Sequence, residues 1–139
     1  MESLSELQRI GLFLTVCILA RLLLAYLAKY IAVDSEYKNF KFALDIICFG
    51  IGVSFIYQYF KGNKVDVFGG KVWWGDLRLI HACNYLAYSY LSYNNVAWAY
   101  LVLVFDVIIG LTGFLMHRMT IDGWKWVVDR GGLVKPIIR

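Results

Sequence analysis

Six polar side chains stand inside otherwise apolar sequence: Arg21, Lys29, Asp45, His81, Asn84 and Asp106. Their types suit proton or ion movement. An imidazole and a carboxylate exchange protons, and an amide or a guanidinium holds them in place. A charge at the centre of a bilayer costs about 2.5–3.5 kcal/mol on insertion scales, so such groups face protein or water and pair with one another. Two uses follow. One is polar glue that holds helices in a single arrangement. The other is a path for protons or ions through Asp45, His81 and Asp106. Glue is the leading expectation, because a path needs a chain of titratable groups and only His81 and Asp106 are well placed for one. The sequence has no Ser/His/Asp set, no HExxH, no phosphate-cradling glycine loop and no TVGYG-type filter. No enzymatic activity, cofactor, metal or small-molecule substrate is therefore expected.

These residues must be positioned by four apolar blocks, Ile10–Val33, Phe42–Phe60, Leu77–Tyr93 and Val96–Met116. A membrane-crossing helix needs about 20 mainly apolar residues. The pattern predicts an all-α, integral membrane protein with four transmembrane helices as two tandem hairpins. It forms one membrane domain over residues 1–139, with a surface tail over residues 117–139. Helical rise sets depth at about 1.5 Å per residue. Counted from the polar turn Ser92-Tyr93-Asn94-Asn95, His81 and Asp106 lie roughly 18 and 15 Å into the membrane, so they and Asn84 are expected to meet. Arg78 lies a turn further out and is expected to snorkel. In the first hairpin Lys29 suits Asp45 in depth, which leaves Arg21 to find a partner on the other hairpin or on another subunit.

The chain is 60% hydrophobic and 17% charged, against about 45–50% and 25% in soluble domains. The net charge of +4 is modest, and no basic run carries interleaved aromatics, so nucleic acid is not an expected partner. Cys17, Cys48 and Cys83 fall one to a block with no ligand spacing and read as small buried hydrophobes. The start, MESLSELQR, is acidic and no small-residue cleavage site follows. The first block is thus expected to be retained. Basic residues gather in the middle connector and the tail, with Arg9 in the N-terminal segment on the same side, while the connector after the first block holds only Lys38 and Lys41, with Lys29 just before it. The positive-inside rule then places both termini on the cytoplasmic side. Lys64, Lys71, Trp73, Trp74 and Arg78 in and beside the middle connector are candidate partner contacts. So are Trp124, Trp126 and Arg130 in the tail.

The halves also resemble each other. Arg21 aligns with Arg78 in ARLLLAY and LRLIHAC, and Asp45 aligns with Asp106 in LDIICFGIGVSF and FDVIIGLTGF. The arginine-to-aspartate spacings differ, at 24 and 28 positions, so a duplication is suggested rather than established.

The run KVWWGDLRLIHACNYLAY followed by FDVIIGLTGFLMHR resembles a family of small multi-span membrane proteins of large icosahedral DNA viruses, the chlorella-virus and giant-virus group. The shared pattern is carried here by Trp73, Trp74, Leu77, Arg78, Ile80, His81, Tyr85, Asp106, Gly110 and His117. It covers about a third of the chain, and Ala82, Cys83 and Asn84 depart from it. The resemblance implies a minor capsid protein, seated in the host endoplasmic-reticulum-derived membrane beneath the capsid, with both termini facing the shell. Its implied partners are the lipid bilayer and capsid or other virion proteins. A homo-oligomer is compatible with the same sequence. The alternative is a small membrane channel or proton-linked transporter.

Overall fold

The computed structural model describes residues 6–33, 35–62 and 74–120. The described residues are helical apart from short turns. The first helix opens as α1 (Glu6–Leu12), passes through a π-helical stretch (Phe13–Ile18) and continues as α2 (Leu19–Val33). A single 3₁₀ turn (Ser35–Tyr37) leads into α3 (Lys38–Lys61), followed by α4 (Leu77–Tyr93) and α5 (Tyr100–Thr120). Helices are the expected outcome for such sequence, because a bilayer leaves backbone amides no partner outside their own segment.

Among the described residues three helices, not four, are long and apolar enough to cross a membrane: Ile10–Ala32, Lys38–Lys61 and Tyr100–His117. The sequence led to an expectation of four transmembrane helices, and one of the four falls outside this set. The exception is α4, with 17 residues that include Arg78, His81, Asn84 and four tyrosines. Its polar groups are turned inward: Arg78, His81, Tyr85, Tyr88, Ser89 and Ser92 are all buried. The opposite face of the helix is open and mainly apolar: Leu79, Ile80, Cys83, Ala87 and Tyr90 are exposed.

Neighbouring helices run antiparallel. Asp45, Gly52 and Gln58 of α3 meet Ser89, Ala82 and Arg78 of α4 in reverse order. Phe13, Arg21 and Lys29 of the first helix meet Phe114, Asp106 and Tyr100 of α5 in the same manner. The α4–α5 pair is bridged at His81–Asp106 and Leu77–Gly113. The four long helices thus form a ring whose most extensive contact is α3 on α4, while α2 and α3 touch lightly. The expected first hairpin is in place by chain order, but its two helices owe their positions mainly to the second pair.

Close approach depends on missing side chains. A Cβ on Gly52 would stand 2.8 Å from Leu86 and 3.2 Å from the Ala82 carbonyl. One on Gly113 would stand 2.7 Å from Leu77. Both sites show small residues letting membrane helices pack tightly. Gly50 meets nothing within 4 Å and faces outward.

The α4–α5 turn has a defined stop. Asn95 adopts φ 58°, a left-handed conformation that asparagine tolerates better than most residues. Its amide donates to the Ser92 carbonyl at 2.9 Å, and that of Val96 donates to Leu91 at 3.0 Å. These two bonds make a Schellman motif, which satisfies carbonyls that the helix end would otherwise orphan. Lys41 donates to the Asn95 side chain at 2.5 Å and so ties the start of α3 to this turn.

Candidate functional site

The polar centre lies where the four long helices converge. Asp106 on α5 is fully buried. Its Oδ2 accepts from Arg21 Nη1 at 3.0 Å. Its Oδ1 stands 2.5 Å from His81 Nδ1 and 3.2 Å from the Asn84 amide nitrogen. The expected meeting of His81, Asn84 and Asp106 is observed. The partner of Arg21 is also found, and it is on the second helix pair, within the same chain.

The short contact to Asp106 assigns the Nδ1 proton of His81 as a donor to the carboxylate. The other ring nitrogen, Nε2, lies 3.4 Å from Arg21 Nη1. One guanidinium nitrogen thus faces both the carboxylate and the imidazole. Its 3.1 Å approach to Nδ1 is a consequence of that crowding, since a ring nitrogen that donates cannot also accept. Gly110 makes room for the arrangement: a Cβ there would stand 3.2 Å from Arg21 Nη1 and 3.6 Å from His81 Cε1. Phe55 brings in α3, with its ring 5.8 Å from the Arg21 guanidinium carbon and 5.8 Å from the His81 ring. The guanidinium gains a cation–π contact on the face left by its hydrogen bonds.

Asp45 belongs elsewhere. It is buried between α3 and α4, beside Ser92, with Lys41 as its nearby cation. Ser89 donates to the Asp45 backbone carbonyl at 3.0 Å. One carboxylate oxygen, Oδ1, has no hydrogen-bond partner. The expected Lys29–Asp45 pair does not form. Lys29 instead lies over the Tyr100 ring at 5.8 Å, because α2 packs on α5 more than on α3. On α3, Asp45 and Phe55 are separated by ten residues, or about 15 Å of helix. The core between the two polar levels contains Ala25, Cys48, Tyr85 and Leu103.

Arg78 does not snorkel. It is 3% exposed. Its Nη1 donates to the Gln58 carbonyl at 3.0 Å, and its guanidinium carbon lies 4.6 Å from the Trp74 ring centre. The C-terminal end of α3 carries the negative pole of that helix, so a cation is well placed there. Sequence reasoning read Arg78 and Trp74 as outward contacts, whereas both serve the α3–α4 junction. The suggested duplication has no counterpart in this pairing: Arg21 is paired with Asp106, and Arg78 has no carboxylate partner among the described residues. Cys48 is buried and Cys17 half-buried, whereas Cys83 is exposed on the outer face of α4, against the expectation that all three are buried; none is in a disulfide. The candidate contacts Lys64, Lys71, Trp73, Trp124, Trp126 and Arg130 lie outside the described residues.

Comparison with protein-family models, with curated proteins and with solved structures returns no match.

Proposed function

We propose that this chain is a structural membrane protein of a virion, a minor capsid protein embedded beneath an icosahedral shell. One observation carries the structural part of this reading. The Asp106 carboxylate is closed off by Arg21, His81 and Asn84, all from within the bundle. Groups that could relay protons are spent on holding helices together. The virion part rests on the sequence pattern from Lys71 to Arg118 described above. In this reading α4 is a fourth crossing, with its buried polar face toward the bundle. The 17 residues of α4 make about 25 Å of helix, and Trp74 just before it and Tyr93 at its end are aromatics suited to the two interfaces. The end of the bundle that carries Lys61 and Arg78 faces the cytoplasm and the shell. Residues 61–76 and 117–139 make the contacts to coat proteins. The protein has no catalytic role.

Crosslinking mass spectrometry on the intact particle tests the assignment. Links from Lys61, Lys64, Lys71, Lys125 or Lys135 to a coat protein are expected. Links confined to copies of the chain itself, in an ordinary cell membrane, would overturn the virion role. Flux through the purified protein in liposomes that disappears with Asp106→Asn would overturn the structural one.

A further inference from the structure

The outward side of α3 carries a groove of about 310 Å³, lined by Ile47, Gly50, Ile51, Ser54, Phe55 and Gln58. Their spacing of three and four residues places them on one helical face. Ile51 and Phe55 form the inner wall and pack on the core. Gly50 keeps the groove open, since a Cβ there would meet nothing within 4 Å. The groove borders the loosest seam of the ring. Phe55 lies 5.8 Å from the Arg21 guanidinium of α2, yet α2 touches α3 only lightly.

Position along the helix says what fits the groove. From Ile47 to Gln58 is eleven residues, about 16 Å of helix. The middle of Lys38–Lys61 falls between Phe49 and Gly50, so the groove runs from the centre of the crossing toward the Lys61 end. That is the depth of one leaflet in a hydrocarbon core of about 30 Å. Polarity rises along it, from Ile47 and Ile51 to Ser54 and Gln58. The Gln58 amide gives one hydrogen to Ser54 Oγ at 3.3 Å, which leaves its second hydrogen at the outer end. Two cations mark that end. Lys61 is exposed, about one turn beyond Gln58. Arg78 donates to the Gln58 backbone carbonyl at 3.0 Å, and its Nε is buried with no hydrogen-bond partner. No carboxylate pairs with Arg78 among the described residues. A buried charge is screened much less than an exposed one, so its field adds to that of Lys61. Asp76, exposed at the start of α4, offsets part of it.

We propose that this groove binds one anionic phospholipid. An acyl chain lies along residues 47–55, an ester carbonyl accepts from the Gln58 amide, and the phosphate sits beside Lys61. Lys61 makes the direct contact, while Arg78 stays on Gln58 and acts through its field. The acyl chain fills the seam that α2 and α3 close only lightly. The proposal needs only that α3 crosses a bilayer and is independent of any role in a virion. A lipid with no net charge gains the same apolar contacts but not the pairing at Lys61. The groove therefore discriminates by headgroup, and that discrimination can be measured.

The test is native mass spectrometry of the full chain, offered equal amounts of phosphatidylglycerol and phosphatidylcholine with the same acyl chains. One retained phosphatidylglycerol per chain is expected, in excess over phosphatidylcholine. Lys61→Gln is expected to lower that excess about fivefold, the scale of one basic residue beside an anionic headgroup. Lys61→Arg is expected to keep it. Joint Gly50→Leu and Ser54→Leu replacement fills the groove from two exposed positions and is expected to reduce retention of both lipids. A phosphatidylglycerol with a photoactivatable group on its acyl chain is expected to label residues 47–58. Equal retention of the two lipids would overturn the proposal, as would an excess that Lys61→Gln leaves unmoved. Photolabel spread evenly over the outer faces of α2, α4 and α5 would do the same. So would a dimer that the Leu pair dissociates, because the groove would then belong to a second copy of the chain. Should the Leu pair not fold, Lys61→Gln and the photolabel decide.

Discussion

At the scale of single residues, Asp106 is the position on which most depends. Its side chain is 1% exposed and serves a cation whose own side chain is 18% exposed. Removing one member of a buried pair leaves the other uncompensated, which costs about 3–5 kcal/mol. Asp106→Ala is therefore expected to lower the thermal midpoint in detergent much further than Asn84→Ala, whose amide makes the longer bond. Joint replacement of Arg21 and Asp106 by leucine is expected to recover part of the loss, because no unpaired charge is left behind. Midpoints that simply add across the pair would sink the idea of a coupled clamp. The link between His81, Asn84 and Asp106 was legible in the sequence because a short turn joins their helices. Depth could be counted from that turn along both. Arg21 could be seen to need a partner, but not which one, since its pairing depends on the order of helices around the ring and no residue count reports that order.

At the scale of elements, the glycines of α3 make opposite predictions two positions apart. Gly52→Ala presses a methyl into Leu86 and the Ala82 carbonyl and is expected to cost about 1–3 kcal/mol by overpacking. Gly50→Ala meets open space and is expected to be neutral or to stabilise by up to about 1 kcal/mol through helix propensity. Equal effects in a thermal-shift series would mean that α3 does not pack on α4 through Gly52. The α4–α5 turn offers a third comparison. Asn95→Gly keeps the left-handed conformation and should be tolerated, while Asn95→Val should destabilise. Helix positions were readable from apolar blocks and punctuation. The inward turn of α4 was readable from its polar content, but its shortfall in length and apolarity was not, because the block of apolar sequence runs on past the polar residues it contains. The π-turn left no mark in the sequence: FLTVCI is apolar at five of six positions, so a shift of one residue in facing changes no visible pattern.

At the scale of the whole molecule, antiparallel packing puts the 3₁₀ turn and the α4–α5 turn at one end, tied by Lys41 and Asn95. Gly62 and Asp76 lie at the other end. Single cysteines at Glu36 and Asn95 are expected to react with a membrane-impermeant thiol reagent from one face, and cysteines at Gly62 and Asp76 from the opposite face. Labelling of Asn95 and Asp76 from the same side would remove α4 as a crossing. The Arg21–Asp106 pair has a further consequence, in time. The two residues are 85 positions apart, and a ribosome adds about 5–20 residues per second. Arg21 therefore emerges roughly 4–17 s before its counter-charge exists. Through that interval the earlier helices hold a cation whose final partner has not been made, and the last helix completes the bundle when it arrives. Chains that stop before Tyr100 are left in the waiting state. Pulse-chase labelling should find them degraded well ahead of the full-length product.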